Sequence, residues 1–340
     1  MRVSNHESYE FYYAIKYSAD SVNSWFKYNN NSQFNMLLSV LIPTYNHDCT
    51  PLVGALAAQA AALGPEVCEI VVADDGSTDG AALSANRRIV RQPGCRYIER
   101  GENAGRSAIR NFLAREARGE WLLYIDNDMA VHRDDYLARY VHHPLVESSG
   151  DASPAPCLLY GGYTVGGDAR ALRHNLRYRY ERAHTANASA TERNARPHAD
   201  FHTSNFLTPR QVMLAHPFDE RIRHYGYEDV LWGKTLAAAG IGVQHIDNTL
   251  GFDDFETNSQ FLAKTDEAML TLAEFAPELE GYSALLPLAR RVRRLHMAAI
   301  VEKTATIIIR PLLEGNNTSL FLFNMYKLGR LTAALRTLGR

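Results

Sequence analysis

A chain of 340 residues, 46% hydrophobic and 22% charged, has the composition of ordinary globular protein and the length for one large domain or two smaller ones. A formal net charge of -2 excludes a polyanion-binding chain, so nucleic acid is not an expected partner. No apolar run reaches the roughly 18 residues of a bilayer span, no signal peptide is evident, and Cys49, Cys68, Cys95 and Cys157 lack metal or redox spacing; a reducing, cytoplasmic setting is expected.

Residues 1–35, rich in Asn and Tyr, read as an extension with little structure, and Met36 as the natural start. From there strand and helix alternate. "LLSVLI" (37–42) is a short apolar run before Pro43, the signature of a buried strand. Thr50-Pro51 reads as N-cap and first helical residue, with Gly64 as the stop. "EIVVA" (69–73) and "RYIE" (96–99) are the next strands, and a helix follows "GENAG" with Arg106 and Arg110 on one face. "EWLLYID" (120–126) is the fourth strand. This order predicts an α/β fold with a mostly parallel sheet flanked by helices, and ligands beyond the carboxyl ends of its strands.

The second half is less regular. Strand is expected over 156–165, helix over 168–183, and a long mobile loop over 184–200. A helix begins near Glu228 and stops at Gly240, "GVQHID" (242–247) is a short strand, and 257–276 is helical. The region from Leu285 is helical with a break at Pro311 and "EGNN". From Ser283 onward there are ten basic residues and two acidic ones, a basic tail on an acidic body. Its "LARRVRRLHMAAI" and "FLFNMYKLGRLTAALRTLGR" have helical period, which suits an anionic leaflet, packing on the body, or a homodimer contact.

Four polar clusters fall where strands end: "IPTYN" (Pro43–Asn46), "DDGSTD" (Asp74–Asp79), "ENAGRSAIRN" (Glu102–Asn111) and "DND" (Asp126–Asp128). Each alone is more often a turn than a site. In a parallel sheet all four gather at one rim. Their order and spacing, with "YGYEDVLWGKTLAAAG" downstream, resemble the family 2 glycosyltransferases of GT-A fold over roughly residues 36–275. The resemblance implies one GT-A domain at 36–280, a nucleotide-binding half at 36–130 and an acceptor-binding half at 131–280, with a helical basic extension at 281–340.

What the resemblance implies for the site is specific. Asp126 and Asp128 match the D-x-D carboxylates that hold Mn²⁺ or Mg²⁺, with Asp128 the more direct ligand and Asp126 facing the ribose or a metal-bound water. Pro43, Thr44, Tyr45, Asp75, Asn103, Arg106 and Asn127 fall where the family borders its nucleotide, most simply a UDP-sugar. Asp229 matches the general base that takes a proton from the acceptor hydroxyl, and Glu228 its partner. Ser204, Asn205 and Trp232 are candidate acceptor contacts, and Trp232 fits the core equally well at its helical spacing. Some relatives carry a third metal ligand, a His, where this chain has Phe252; His245, an Asp or water are the substitutes. His142, His143, His198, His202 and His224 read as surface or loop residues. For Arg110 an ion pair with Asp74 or Asp126 is the structural alternative.

The implied activity is inverting, metal-dependent transfer of a sugar to a surface-glycan or lipid-linked acceptor, at the inner face of the cell membrane if the tail docks there. The alternative is an inactive nucleotide- or glycan-binding protein on the same fold. A nucleotidyltransferase would open with a Gly-rich loop and a Lys, and a dinucleotide oxidoreductase with G-x-G-x-x-G; neither follows the first strand.

Overall fold

The computed structural model describes residues 36–147, 157–185 and 189–339. The expected N-terminal extension and the start at Met36 concern residues 1–35, outside the described residues.

β1 (Met36–Thr44), β2 (Cys68–Asp74), β3 (Cys95–Glu99) and β4 (Gly119–Ile125) form parallel pairs in the order β3-β2-β1-β4. Both faces of the sheet are covered, which is why these strands are apolar runs rather than alternating ones. Val40, Ile42, Val72, Leu123 and Ile125 point into one core with Leu52, Val53 and Leu56 of α1 (Thr50–Leu63). Leu41, Val71, Ala73, Leu122 and Tyr124 point into the other core. α2 (Gly80–Asn86) follows β2, and α3 (Arg106–Glu116) lays Ile109 and Leu113 on that second face.

Beyond β4 the sheet changes character. β5 (Met129–Ala130) leaves for a small sheet, followed by α4 (Tyr136–Val141) and α5 (Pro144–Glu147). β6 (Cys157–Tyr160) and β7 (Tyr163–Val165) replace the single strand expected over 156–165. Gly161 and Gly162 separate them and let the chain change sheets. α6 (Leu176–Thr185) is shorter than expected because Asn175 accepts the Tyr178 N–H at 2.8 Å and sets the helix start there. The loop expected over 184–200 holds α7 (Ala190–Arg193), closed by a reciprocal Ser189–Glu192 capping box.

β8 (Asn205–Pro209) runs antiparallel to β4 and β6, and β9 (Gly242–His245) parallel to β6, completing the order β3-β2-β1-β4-β8-β6-β9. α8 (Arg210–Ala215) and α9 (Glu228–Ala238) intervene. β10 (Leu250–Phe252) lies between β5 and β7 in the small sheet. The N-cap of α1 is Cys49 rather than Thr50; Asp48 Oδ1 instead accepts both the N–H and the hydroxyl of Thr50, at 2.8 and 2.6 Å.

The C-terminal quarter is helical: α10 (Asn258–Glu274), α11 (Leu285–Arg294), α12 (Ala298–Lys303), α13 (Arg310–Glu314) and α14 (Leu320–Thr337). Pro311 does not break the chain's helical path. Thr304–Ile309 is wound as a π-helix between α12 and α13, and Pro311 sits in the first turn of α13, where a missing N–H costs little. Asp266 of α10 fixes this tail. It accepts from Tyr326 at 2.7 Å and Arg330 at 2.8 Å, and pairs with Arg310 at 3.2 Å. Phe261, Leu262, Ile309, Phe323 and Tyr326 form the apolar seam beside it.

Candidate active site

The carboxyl ends of β1, β2 and β4 meet, as the parallel order requires, and side-chain bonds tie them into one rim. The Asp75 N–H donates to Thr44 O at 2.9 Å. Asn127 Nδ2 donates to Thr44 Oγ1 at 3.0 Å, joining the ends of β4 and β1. Asp75 is buried, and its oxygens accept from Arg100 at 2.8 Å, the Ala104 N–H at 3.2 Å and the Gly105 N–H at 2.8 Å. Burial pushes its carboxyl above the ordinary value against those donors. Asp75 thus fastens the turn that precedes α3, and Asn103 supports it by accepting the Gly105 N–H at 3.1 Å. Gly76 makes this approach possible: its φ is +76°, and a Cβ there would sit 2.5 Å from the backbone of Glu102. Tyr45 lies exposed on the rim and Pro43 half-buried behind it.

α3 then crosses the rim. Arg110 is fully buried and pairs with Asp126 at 2.7 Å and with Glu228 at 3.4 Å. The ion-pair alternative for Arg110 holds for Asp126; Asp74 instead accepts from Ser77 and Tyr97 at 2.7 and 2.9 Å. Arg106, one turn earlier, lies over the Tyr225 ring at 4.5 Å and stands 3.8 Å from Glu228. One guanidinium therefore links the two carboxylate motifs: Arg110 is 16 residues from Asp126 and 118 from Glu228 in sequence.

Asp128 is different. Its Oδ1 is buried with no hydrogen-bond partner. Burial pushes its carboxyl up and Asp126 adds to this, outweighing Arg106, Lys264 and Arg177. An unpartnered oxygen beside a second carboxylate is the chemistry of a hard divalent cation site. Among the described residues no three His, Cys, Asp or Glu side chains are already gathered for a metal, so these two carboxylates fit Mn²⁺ or Mg²⁺ with the remaining positions left to ligand oxygens or water. Phe252 is buried in β10 and supplies no ligand. His245 is buried with both nitrogens engaged, by Arg193 at 3.2 Å and Pro197 O at 2.8 Å.

On the opposite wall, α9 begins after Gly226 and Tyr227, whose φ values are 92° and 67°. That left-handed pair turns Glu228 and Asp229 into the cleft at a helix N-terminus, where carboxylates are favoured. Asp229 Oδ2 lies 3.2 Å from His202 Nδ1, and Oδ1 accepts the Val230 N–H at 2.8 Å. Burial raises the Asp229 carboxyl, but His202, Val230 and Arg110 outweigh it and hold the group below the ordinary carboxylate value. His202 is the exposed loop residue the sequence suggested, and it also faces Asp229 of the candidate site. Its only local sign was its place just before β8, which carries no chemistry by itself.

Two expected acceptor contacts are spent on the fold. Asn205 is fully buried: Oδ1 accepts from Tyr136 and Tyr140 at 2.6 and 2.8 Å, and Nδ2 donates to Gly162 O and Asn248 O, both at 2.8 Å. No polar capacity remains for a ligand. Trp232 is buried and stacked on Phe218 at 4.5 Å, with its indole N–H donated to His216 O at 2.7 Å, so it takes the core role. Ser204 is buried too, and its carbonyl accepts the Asp126 N–H at 3.2 Å, tying β8 to the D-x-D turn.

Residues 39–150 match the family model for glycosyl transferase family 2. A curated relative, validoxylamine A glucosyltransferase of Streptomyces hygroscopicus subsp. limoneus, is 36% identical over 141 residues, 39% of this chain and 28% of its own. A glycosyltransferase of Haemophilus influenzae is 28% identical over 98 residues, 29% of this chain and 38% of its own. The match therefore spans well under half of either relative. Among solved structures, mannosyltransferase PcManGT from Pyrobaculum calidifontis superposes with a TM-score of 0.51 at 16% identity, over 94% of this chain and 93% of that one. S. aureus TarS 1–349 gives 0.50 at 15% identity, over 89% and 92%. Residues 39–150 are therefore similar to the family 2 glycosyltransferases, and the chain has the GT-A fold.

Proposed function

We propose that the protein is an inverting glycosyltransferase that moves a sugar from a nucleotide-sugar, a UDP-sugar by preference, to a hydroxyl of a surface-glycan or lipid-linked acceptor. The observation that carries this reading is the bridge at Arg110. It joins the Asp126–Asp128 turn to the Glu228–Asp229 helix start, with an unpartnered Asp128 oxygen beside it. TarS 1–349 has been solved with UDP-GlcNAc and PcManGT with GDP-Man and Mn²⁺, and both share this fold, which supports a nucleotide-sugar donor and a divalent metal.

In this reading Pro43, Thr44, Tyr45, Asn103, Arg106 and Asn127 border the nucleotide, and Asp75 acts beside them by fixing the turn that carries Asn103 and Arg106. Asp126 and Asp128 hold the metal. A divalent cation there supplies charge stabilisation for the departing diphosphate. Arg106, at the start of α3, adds a cation on the same side. Asp229 takes the proton of the acceptor hydroxyl as that oxygen attacks the anomeric carbon from the opposite face. Glu228, held by Arg110 and Arg106, orients the wall from which Asp229 acts. Calorimetric titration of UDP, GDP, dTDP and CMP, with and without Mn²⁺, tests the reading. Metal-dependent binding of one nucleotide that is lost in Asp128→Ala is expected. Folded protein that binds none of them is the inactive relative instead.

The same proposal extends to an anionic leaflet as the surface on which a lipid-linked acceptor is met. No helix among the described residues is long and apolar enough to cross a membrane. Yet Leu288, Leu295, Met297, Ile300, Ile307 and Ile308 are exposed along α11, α12 and the π-helix. Arg290, Arg310, Arg330 and Arg336 are spent on acids, while Arg291, Arg293, Arg294 and Lys303 stand outside those pairs, beside the exposed apolar residues. Apolar side chains flanked by unspent cations complement anionic headgroups. Co-sedimentation with phosphatidylglycerol vesicles but not phosphatidylcholine vesicles is expected. Concentration-dependent dimerisation without vesicle binding assigns the face to a second copy.

A further inference from the structure

Among the described residues, His202 is the one histidine that the fold sets against a carboxylate of the proposed site. Its Nδ1 lies 3.2 Å from Asp229 Oδ2, while its side chain is 51% exposed. The ring is held edge-on by Tyr160 and Tyr163, with centroids 6.2 Å away in each case. Those tyrosines are in turn fixed: Tyr163 donates to Glu181 at 2.7 Å, and Tyr160 lies under Arg193 and against His245. Asp229, by contrast, is mostly enclosed, with only 21% of its side chain exposed. A base so enclosed meets water over only a small part of its surface, so a bonded neighbour is its main path for passing a proton on. The imidazole offers that path, because one nitrogen faces the carboxylate and the ring reaches solvent.

We propose that His202 is a positioning residue for Asp229 and the exit for the proton Asp229 removes. The inference rests on the reading of Asp229 as base. The acceptor O–H breaks and its proton goes to Asp229. The acceptor oxygen bonds the anomeric carbon, and the bond from that carbon to the diphosphate breaks, its electron pair leaving with the nucleotide. The neutral ring in its Nε2–H form takes the proton from Asp229 Oδ2 at Nδ1, and the imidazolium then gives a proton to water, exchange with solvent restoring the Nε2–H form. The working state therefore has Asp229 ionised and His202 neutral.

The charges facing His202 set when that state exists. Asp229 on α9, Glu181 on α6 and Asp200 before it in the chain favour the imidazolium and raise its titration above the ordinary histidine value, against burial. Arg193 on α7, behind Tyr160, is the cation of that wall, and His245 on β9, buried and accepting from Arg193 at Nδ1, is held toward its neutral form. Turnover is then expected to rise with pH through the titration of His202, above about 6.5, rather than near the carboxylate value of about 4.

The test has two arms. Imidazole NMR of the whole protein follows His202 against pH in the wild type and in Asp229→Asn. An upward-shifted His202 that moves back toward the ordinary value in the variant is expected. A His202 titration indifferent to Asp229→Asn overturns the pairing, whatever the protein's activity. The second arm measures metal-dependent consumption of UDP-glucose, UDP-GlcNAc and GDP-mannose against pH in the wild type and in His202→Asn. The Asn amide keeps a hydrogen bond to Asp229 and cannot carry the proton. We expect kcat at neutral pH to fall at least about tenfold with KM for donor unchanged, and the acid limb to move to lower pH. A His202→Asn enzyme with the wild-type acid limb overturns the exit role. Failure of the underlying reading is distinct: Asp229→Asn then turns over donor like the wild type, while the NMR pairing persists.

Discussion

The two halves of the main sheet use their polar residues differently. In the parallel half, β3-β2-β1-β4, the motif acids Asp74 and Asp75 are spent on turns, and one oxygen of Asp128 is left over. In the other half, β8-β6-β9, Asn205 is spent on the fold, and His202 and Asp229 are left facing the cleft. A motif residue is therefore not a site residue by virtue of its motif. What separates the two is whether its hydrogen-bonding capacity is already used. Five experiments bear on that comparison.

The largest effect is expected at the leftover carboxylates. Asp128→Ala is expected to abolish metal-dependent nucleotide binding and to cut turnover by at least about a hundredfold, the scale of one lost preorganised charge contact. Thermal stability is expected to hold or rise, because an unpartnered buried oxygen goes with the side chain. Paired scanning calorimetry and nucleotide titration report both. A fall in stability would place Asp128 with the structural acids.

Asp229→Asn comes next. A lost general base lowers kcat by about 10²–10⁴, and donor KM is expected to stay put, as stopped-time product assays across donor concentration would reveal.

Arg110→Ala is expected to act on stability instead. Removing the shared cation leaves Asp126 and Glu228 facing each other without it, and breaking a buried pair typically costs about 3–5 kcal/mol. Urea unfolding measures this. An unchanged midpoint would break the claim that the two motifs are held together through Arg110. Asn205→Leu sharpens the comparison from the other side. Two tyrosine hydroxyls and two carbonyls lose their partner at about 1–3 kcal/mol for each group left unsatisfied. The loss is expected in the unfolding midpoint, with nucleotide affinity unchanged.

The smallest effect is the pH dependence of stability at the Asp229–His202 pair. Asp229 is held below its ordinary value, so its contribution is present above about pH 4 and disappears as pH falls through its folded value. His202 is raised, so its contribution is full below about pH 6.5 and disappears as pH rises through its folded value. The pair therefore stabilises most between those limits. Urea midpoints across pH, compared with Asp229→Asn, show the difference as a flattened profile.

Much of the parallel half was legible in the chain. Buried parallel strands are continuous apolar runs, so "LLSVLI", "EIVVA" and "EWLLYID" mark β1, β2 and β4 to within two residues. Their polar ends fall at one rim because parallel order leaves no other place for them. The second half was less legible for a local reason. Its strands are three to five residues long and its turns are set by side chains, Asn175 capping α6 and Ser189 with Glu192 capping α7. Expected boundaries at 168 and across 184–200 moved accordingly.

Sequence by itself determined the layered α/β plan, the four polar strand ends and the helix that opens at Glu228, because each rests on period, capping and apolar runs within a dozen residues. Only the tertiary structure decided which polar groups remain free. Whether Asn205 meets four partners, whether Trp232 stacks on Phe218, and whether His202 reaches Asp229 across 27 residues are matters of contact between distant segments. A side chain's chemistry is written in its identity, but its availability depends on neighbours that only the packed chain brings within bonding distance.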